Sequence, residues 1–220
     1  MQAYRDRRDA GARLAQSLLP LDLRDPVVIG LPRSGVPVAA EIADRLKAPL
    51  DVIVVRKLGI PWQPEVAMGA IAEEGVRVLD ETFIADARVT PAQLETVERR
   101  ERAVLDARII AIRRVRPAVN LGGRTVVIVD DGIATGTTAA AACRVARRRG
   151  AASVVIAAPV ASADALAQLQ HEADLIVCPW VPADFGAVGA YYRDFSATQD
   201  EEVLRLLAAA SDAASGKDRP

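Results

Sequence analysis

A chain of 220 residues, 51% apolar and 26% charged, has globular composition and enough length for one α/β domain with a well-buried core. Its net charge of −1 and sequence pI near 5.9 exclude the global basic field of a protein that binds nucleic acid or anionic lipid through charge alone. The two cysteines, Cys143 and Cys178, lack metal-type spacing and His171 is the one histidine, which argues against a zinc site and for reduced thiols in a cytoplasmic protein.

The N-terminal MQAYRDRRDAGARL is charged, carries no apolar signal region, and no later apolar run approaches membrane-spanning length, so no membrane partner is expected. Tyr4, Leu14, Ala15, Leu18 and Leu19 recur among arginines and aspartates at near-helical spacing, predicting an amphipathic helix over 4–19. Val27 to Leu31 reads as a short buried strand, followed by the loop Pro32-Arg33-Ser34-Gly35 and a helix opened by Pro37 and running to about Lys47. Asp51 to Leu58 reads as the next strand, with Arg56 and Lys57 at its carboxyl end, where open α/β sheets bind ligands. The stretch 59–65, with two prolines and Trp62, reads as a short loop; Met68–Ala72 and Val76–Leu79 read as a hairpin. Thr90-Pro91 starts a long helix to about Arg116, dense in Glu and Arg at i,i+4 spacing, whose bland reading is a solvated helix with one apolar stripe. Beyond the central motif, Ser153–Val160 predicts a strand, Ser162 caps a helix to about His171, and Leu175–Cys178 predicts the last core strand. Residues 180–195 are too rich in Gly and aromatics for a plain helix; 200–209 predict a terminal helix, and Ser211–Pro220 a frayed tail.

The motif that organises the chain is RTVVIVDDGIATGTT, residues 124–138. Val126 to Val129 is an unbroken β-branched run, as expected of a strand buried on both faces in a parallel sheet. Two carboxylates, a small hydroxyl-rich loop and an alanine-rich helix follow. A loop entering a helix N-terminus points unpaired N–H groups outward and favours an anion, most often phosphate. Asp130 and Asp131 would repel a bare phosphate, so they must face hydrogen-bond donors of the ligand, and sugar hydroxyls fit. Each hydrogen bond to such a charged group is worth about 1.5–3 kcal/mol. The pattern therefore asks for a sugar phosphate. It is not a P-loop, because Thr137 rather than Lys follows Gly136, and no G-x-G-x-x-G dinucleotide fingerprint occurs.

What the motif resembles is the phosphoribosyl pyrophosphate (PRPP) signature of the type I phosphoribosyltransferases: four apolar residues, two acidic ones, then a loop ending in Thr-Gly-x-Thr. The resemblance implies an α/β fold, Rossmann-like, with a central mainly parallel sheet flanked by helices. It implies a single domain over 1–220, with the core at about 25–180, a small hood from about 1–24 and 180–209, and a disordered tail at 210–220. It implies transfer of 5-phosphoribosyl from PRPP to a nitrogen acceptor, with Mg²⁺ as cofactor, in a cytoplasmic homodimer. By position, Ala134, Thr135, Gly136, Thr137 and Thr138 would hold the 5′-phosphate, and Asp130 and Asp131 the ribose diol. Arg33, Ser34 and Gly35 would bind pyrophosphate, joined by Arg56 or Lys57 and by Arg193; Arg33, Arg56, Lys57, Asp130 and Asp131 form the expected catalytic set. In purine-type members a hood Phe stacks on the base, which points to Phe185 with Val188 lining the pocket, while Asp131 and Asp194 would meet the metal directly or through water. A loop after the strand of Arg56 and Lys57 would close over the reacting centre.

Departures from the family pattern bear on the acceptor. Ala134 stands where 6-oxopurine enzymes carry an acid, and no Lys ends the 154–160 strand, so hypoxanthine and guanine are disfavoured. Adenine, a pyrimidine and a non-nucleobase amine stay open. Two other readings compete: a non-catalytic PRPP-sensing regulator, against which the acidic pI and the glutamates of 91–116 argue where nucleic acid is concerned, and a nucleotide hydrolase, for which no nucleophile–base pair can be named.

Overall fold

A computed structural model describes residues 2–215. The first half of the chain contains α1 (Arg7–Leu18), β1 (Pro26–Gly30), α2 (Gly35–Leu46), β2 (Leu50–Val52), β3 (Val55–Ile60), β4 (Gln63–Ala72) and β5 (Arg77–Leu79). Then come α3 (Glu81–Asp86), α4 (Pro91–Val115), β6 (Thr125–Val129) and α5 (Thr137–Arg148). β7 (Ser153–Ala157), α6 (Ala163–Leu169), β8 (Leu175–Val177) and α7 (Asp200–Ser215) complete it.

Five strands form a wholly parallel sheet in the order β2-β1-β6-β7-β8. Both faces are covered, which is why β6 carries no polar alternation. Val127 and Val129 pack with Leu14, Val36 and Ile42 on the side of α1 and α2, whereas Val126 and Ile128 pack with Ala142, Val145 and Leu169 on the side of α5 and α6. The α/β architecture is thus the one the motif implied. A second, antiparallel sheet, β3-β4-β5, lies against α4 and α5.

Local chemistry explains the helix starts. Asp6 accepts from the Asp9 N–H at 2.8 Å, Ser162 from the Ala165 N–H at 3.0 Å, and Thr90 with Gln93 forms a capping box ahead of Pro91. Three sequence expectations need correction. The single strand over 51–58 is two strands in different sheets: the chain leaves the parallel sheet after Val52 and enters the antiparallel one at Val55. Residues 59–65 are not a loop over the site but the turn of the β3–β4 hairpin, with Ile60 paired to Gln63 and only Pro61 and Trp62 between them. The terminal helix continues past Ala209 to Ser215; residues 216–220 of the expected tail lie outside the described residues.

The segment around Tyr4 meets the segment around Tyr192. Tyr4 bridges Tyr192 in parallel, its N–H donating to the Tyr191 carbonyl at 2.9 Å, and the Arg193 and Asp194 amides donate to the carbonyls of Tyr4 and Arg5, both at 2.8 Å. The Tyr4, Trp180, Tyr191 and Tyr192 rings pack around this bridge. Burial pushes the Tyr4 phenol up to about 12.

Candidate functional site

Between β1 and β6 the strand order changes direction, and the crevice at the carboxyl ends of two such strands is where open parallel sheets hold ligands. The loops after these strands lie side by side there. Gly30 is level with Val129, and the Leu31 N–H donates to the Val129 carbonyl at 2.9 Å. Contact is so close that a Cβ on Gly35 would sit 2.5 Å from the Val129 oxygen and 3.0 Å from the Asp130 Cα. Arg33, joined to Pro32 by a cis peptide, is exposed and makes no ion pair among the described residues. The loop that carries Arg33 and Ser34 is therefore brought to the acidic pair at Gly35.

The loop after β6 offers its backbone outward. The Ile133 N–H is taken by the Val160 carbonyl, but the amides of Ala134, Thr135, Gly136, Thr137 and Thr138 have no protein acceptor among the described residues. Gly136, the residue before α5, has φ +78°, a left-handed conformation natural to glycine, and the Thr135 and Thr137 hydroxyls are exposed or half-exposed beside it, 3.5 Å apart. Ser162 anchors the loop from behind by donating to the Ala134 carbonyl at 2.7 Å. Five open amides at the start of a helix form an anion cradle.

The two carboxylates differ. Asp130, half-buried, accepts the Asp131 N–H at 2.9 Å, and no cation pairs with it among the described residues. Burial and the neighbouring Asp131 charge push its carboxyl well above the usual carboxylate range. Asp131 is 7% exposed and pairs with Arg7, Nε to Oδ2 at 2.9 Å. Burial raises this carboxyl too, against the lowering effect of Arg7. Tyr192 donates its phenol to the Asp131 backbone carbonyl at 2.5 Å, and burial with the nearby Asp131 charge drives that phenol upward.

Other expected residues divide. Val188 is at the site, its methyls within 2.4 and 2.9 Å of where a Cβ on Gly132 would lie. Phe185 stacks on Tyr191, ring centroids 5.7 Å apart. Arg56 is committed elsewhere: its guanidinium binds Glu101 of α4 at 2.6 Å, and Lys57 donates to the Glu65 carbonyl within its own hairpin. Arg193 is exposed and makes no ion pair among the described residues; Asp194 accepts from the Ser196 N–H at 3.0 Å and from its hydroxyl. Asp194 also lines a cleft of about 220 Å³ with Arg7, Arg8 and Pro37.

Two residues escaped sequence reading, Arg7 and Tyr192. Arg7 had a detectable signal: it occupies the buried stripe of α1 with Ala10, Gly11, Leu14 and Leu18, where a lone charged residue calls for a buried partner.

A doubly wound parallel sheet whose switch point pairs an open amide cradle with two carboxylates and a loop carrying Arg33 defines an α/β protein whose crevice offers donors to an anion and acceptors to hydroxyls. Residues 3–190 match the model of the phosphoribosyl transferase domain, and the chain belongs to that family. A Mycobacterium tuberculosis H37Rv protein provisionally named a phosphoribosyl transferase is 51% identical over 207 residues, which are 94% of this chain and 47% of that protein. The chain thus spans about half the length of that relative. The crystal structure of TT1426 from Thermus thermophilus superimposes with a TM-score of 0.80 at 48% identity, covering 95% of this chain and 99% of that one.

Proposed function

We propose that the chain catalyses Mg²⁺-dependent transfer of the 5-phosphoribosyl group from PRPP to a nitrogen acceptor, a nucleobase or related amine, with release of pyrophosphate. The observation that carries this reading is the row of unoccupied amides at Ala134–Thr138, continuous with an acidic pair and facing a cationic loop across the switch point. The 5′-phosphate would lie in the cradle, the diol against Asp130 and Asp131, and pyrophosphate toward Arg33, Ser34 and Gly35. The C1–oxygen bond breaks with its electron pair going to pyrophosphate, the acceptor lone pair forms the C1–nitrogen bond, and the acceptor's proton leaves to water. As in other glycosyl transfers the sugar acquires oxocarbenium character. Holding the sugar and neutralising the leaving group then supply most of the rate. Arg193 is a further cation for pyrophosphate, and Val188 lines the acceptor side; Arg56, tied to Glu101, supports the hairpin rather than the ligand.

Among the described residues no group of three or more His, Cys, Asp or Glu could hold a metal ion, but Mg²⁺ commonly needs only one or two carboxylates with substrate oxygens. Asp131 and Asp194 each keep one oxygen free of protein donors, Oδ1 and Oδ2 respectively, among the described residues, and would meet the ion directly or through water. Asp130 likewise keeps its Oδ2 free. When bound, the ion supplies positive charge to the departing pyrophosphate. A cytoplasmic homodimer belongs to the same proposal; the free Cys143 and Cys178 are consistent with a reducing compartment.

The test is pyrophosphate release from PRPP and Mg²⁺ across a panel of adenine, uracil and simple amines. Release with one acceptor supports transfer. PRPP binding without release for any acceptor favours a sensing role, and nucleotide hydrolysis indifferent to PRPP sinks both.

A further inference from the structure

We infer that Arg7 is a positioning residue for the sugar: it fixes the Asp131 carboxylate through Oδ2 so that the remaining oxygen faces the ribose diol. This rests on the ribose-phosphate reading of the site. Arg7 itself is held on three sides. Its Nε reaches Asp131 at 2.9 Å, its Nη1 donates to the Ser196 carbonyl at 2.6 Å, and its guanidinium carbon lies 4.1 Å from the centre of the Phe195 ring. It is 8% exposed, and no donor other than Arg7 reaches the Asp131 side chain among the described residues.

Geometry separates this role from simple cementing. An ion pair serving stability alone is replaceable by apolar groups, and nothing requires it to fall on a ligand-facing carboxylate. Here the contacts of residues far apart in sequence converge on Asp131: Arg7 on its side chain, Tyr192 on its backbone carbonyl, and Ser196 and Phe195 on Arg7. An acid left to itself beside Asp130 would rotate away from its neighbour's charge. The single Nε contact, from a guanidinium itself held by Ser196 and Phe195, removes that freedom.

Two probes that differ by one hydroxyl provide the test: ribose 5-phosphate and 2-deoxyribose 5-phosphate, titrated calorimetrically beside inorganic phosphate. Wild type should favour the ribose compound by roughly tenfold or more, the worth of one hydrogen bond to a charged group. In Arg7→Met, which keeps the apolar stem, that preference should fall to about one while phosphate affinity stays within about twofold. Arg7→Lys should recover part of the preference, since it restores the charge without the planar guanidinium that also grips the Ser196 carbonyl. A purely structural Arg7 would weaken all three probes together, and this result overturns the inference, as does an Arg7→Met protein that discriminates like wild type. If wild type binds neither sugar better than phosphate, the ribose reading itself fails. Should Arg7→Met not fold, Tyr192→Phe, which keeps the ring and removes one tether, should show a smaller loss of the same preference; full discrimination in a folded Tyr192→Phe counts against the inference.

Discussion

Replacing Gly35 by Ala probes the contact that joins the two ligand loops. The added Cβ would lie 2.5 Å from the Val129 oxygen, 3.0 Å from the Asp130 Cα and 3.2 Å from Asp130 Oδ1. Ordinary contacts begin at 3.4 Å, and two of these three atoms are backbone that cannot swing aside, so the loops must part by about 1 Å. Overpacking of this kind costs about 1–3 kcal/mol. For a domain of this size that is a fall in Tm of about 2–12 °C. A displacement of about 1 Å at reacting groups can cost about a hundredfold in rate. Thermal scans and PRPP titrations should be run beside Gly186→Ala, where the new methyl meets nothing within 4 Å. A Gly35→Ala protein with the Tm and PRPP affinity of the Gly186→Ala control would refute the packed-loop geometry.

The two aspartates should respond oppositely to neutralisation. Asp131→Asn leaves Arg7 buried without its counter-charge and should cost about 3–5 kcal/mol in urea unfolding, whereas Asp130→Asn removes the like charge beside Asp131, leaving stability unchanged or raised while PRPP affinity falls; equal losses would contradict the asymmetry. Gly136→Ala forces a left-handed Ala at about 1–2 kcal/mol and brings its methyl 3.2 Å from Leu169, so titration with inorganic phosphate should show weaker binding; unchanged affinity would show that the cradle does not hold the anion. Burial pushes Glu101 up, but hydrogen bonds and charge from Arg56 and Arg100 outweigh it and hold the carboxyl below its ordinary range. The stability it contributes is present above the unfolded carboxyl pKa and lost as pH falls through the lower folded value. Because Arg56 is one-third exposed, that stability is smaller than the about 3–5 kcal/mol lost when a fully buried pair is broken. Glu101→Gln should show the loss at neutral pH and a flatter acid unfolding curve, and a parallel curve would disprove it.

The central strand and its loop were legible because their signals are local. Burial on both faces writes itself as an unbroken β-branched run, and the open amides follow from Gly136 and the helix after it. Other features depended on distant residues. Ile53 and Val54 continue the apolar pattern of Asp51–Leu58, yet the chain changes sheets there, and periodicity does not record which sheet a strand joins. Gly59 packs so closely on Pro64, where a Cβ would lie 2.0 Å from its carbonyl oxygen, that the expected lid is a closed hairpin. Arg56 reads as a ligand cation until Glu101, 45 positions on, is seen to claim it. Arg7 stood out as a charge in the apolar stripe of α1, but its partner lies 124 positions downstream.

The pairing of β1 with β6 sets Pro26 opposite Thr125, so the crevice cannot exist until the ribosome has passed Thr125. Until then β1 has only the short β2 beside it, and one apolar margin of the nascent sheet stands uncovered. A chain with such long-range pairing folds slowly and is exposed to aggregation while it waits. Synthesis rate and chaperone supply, rather than the strength of the finished core, should therefore set the yield of soluble protein.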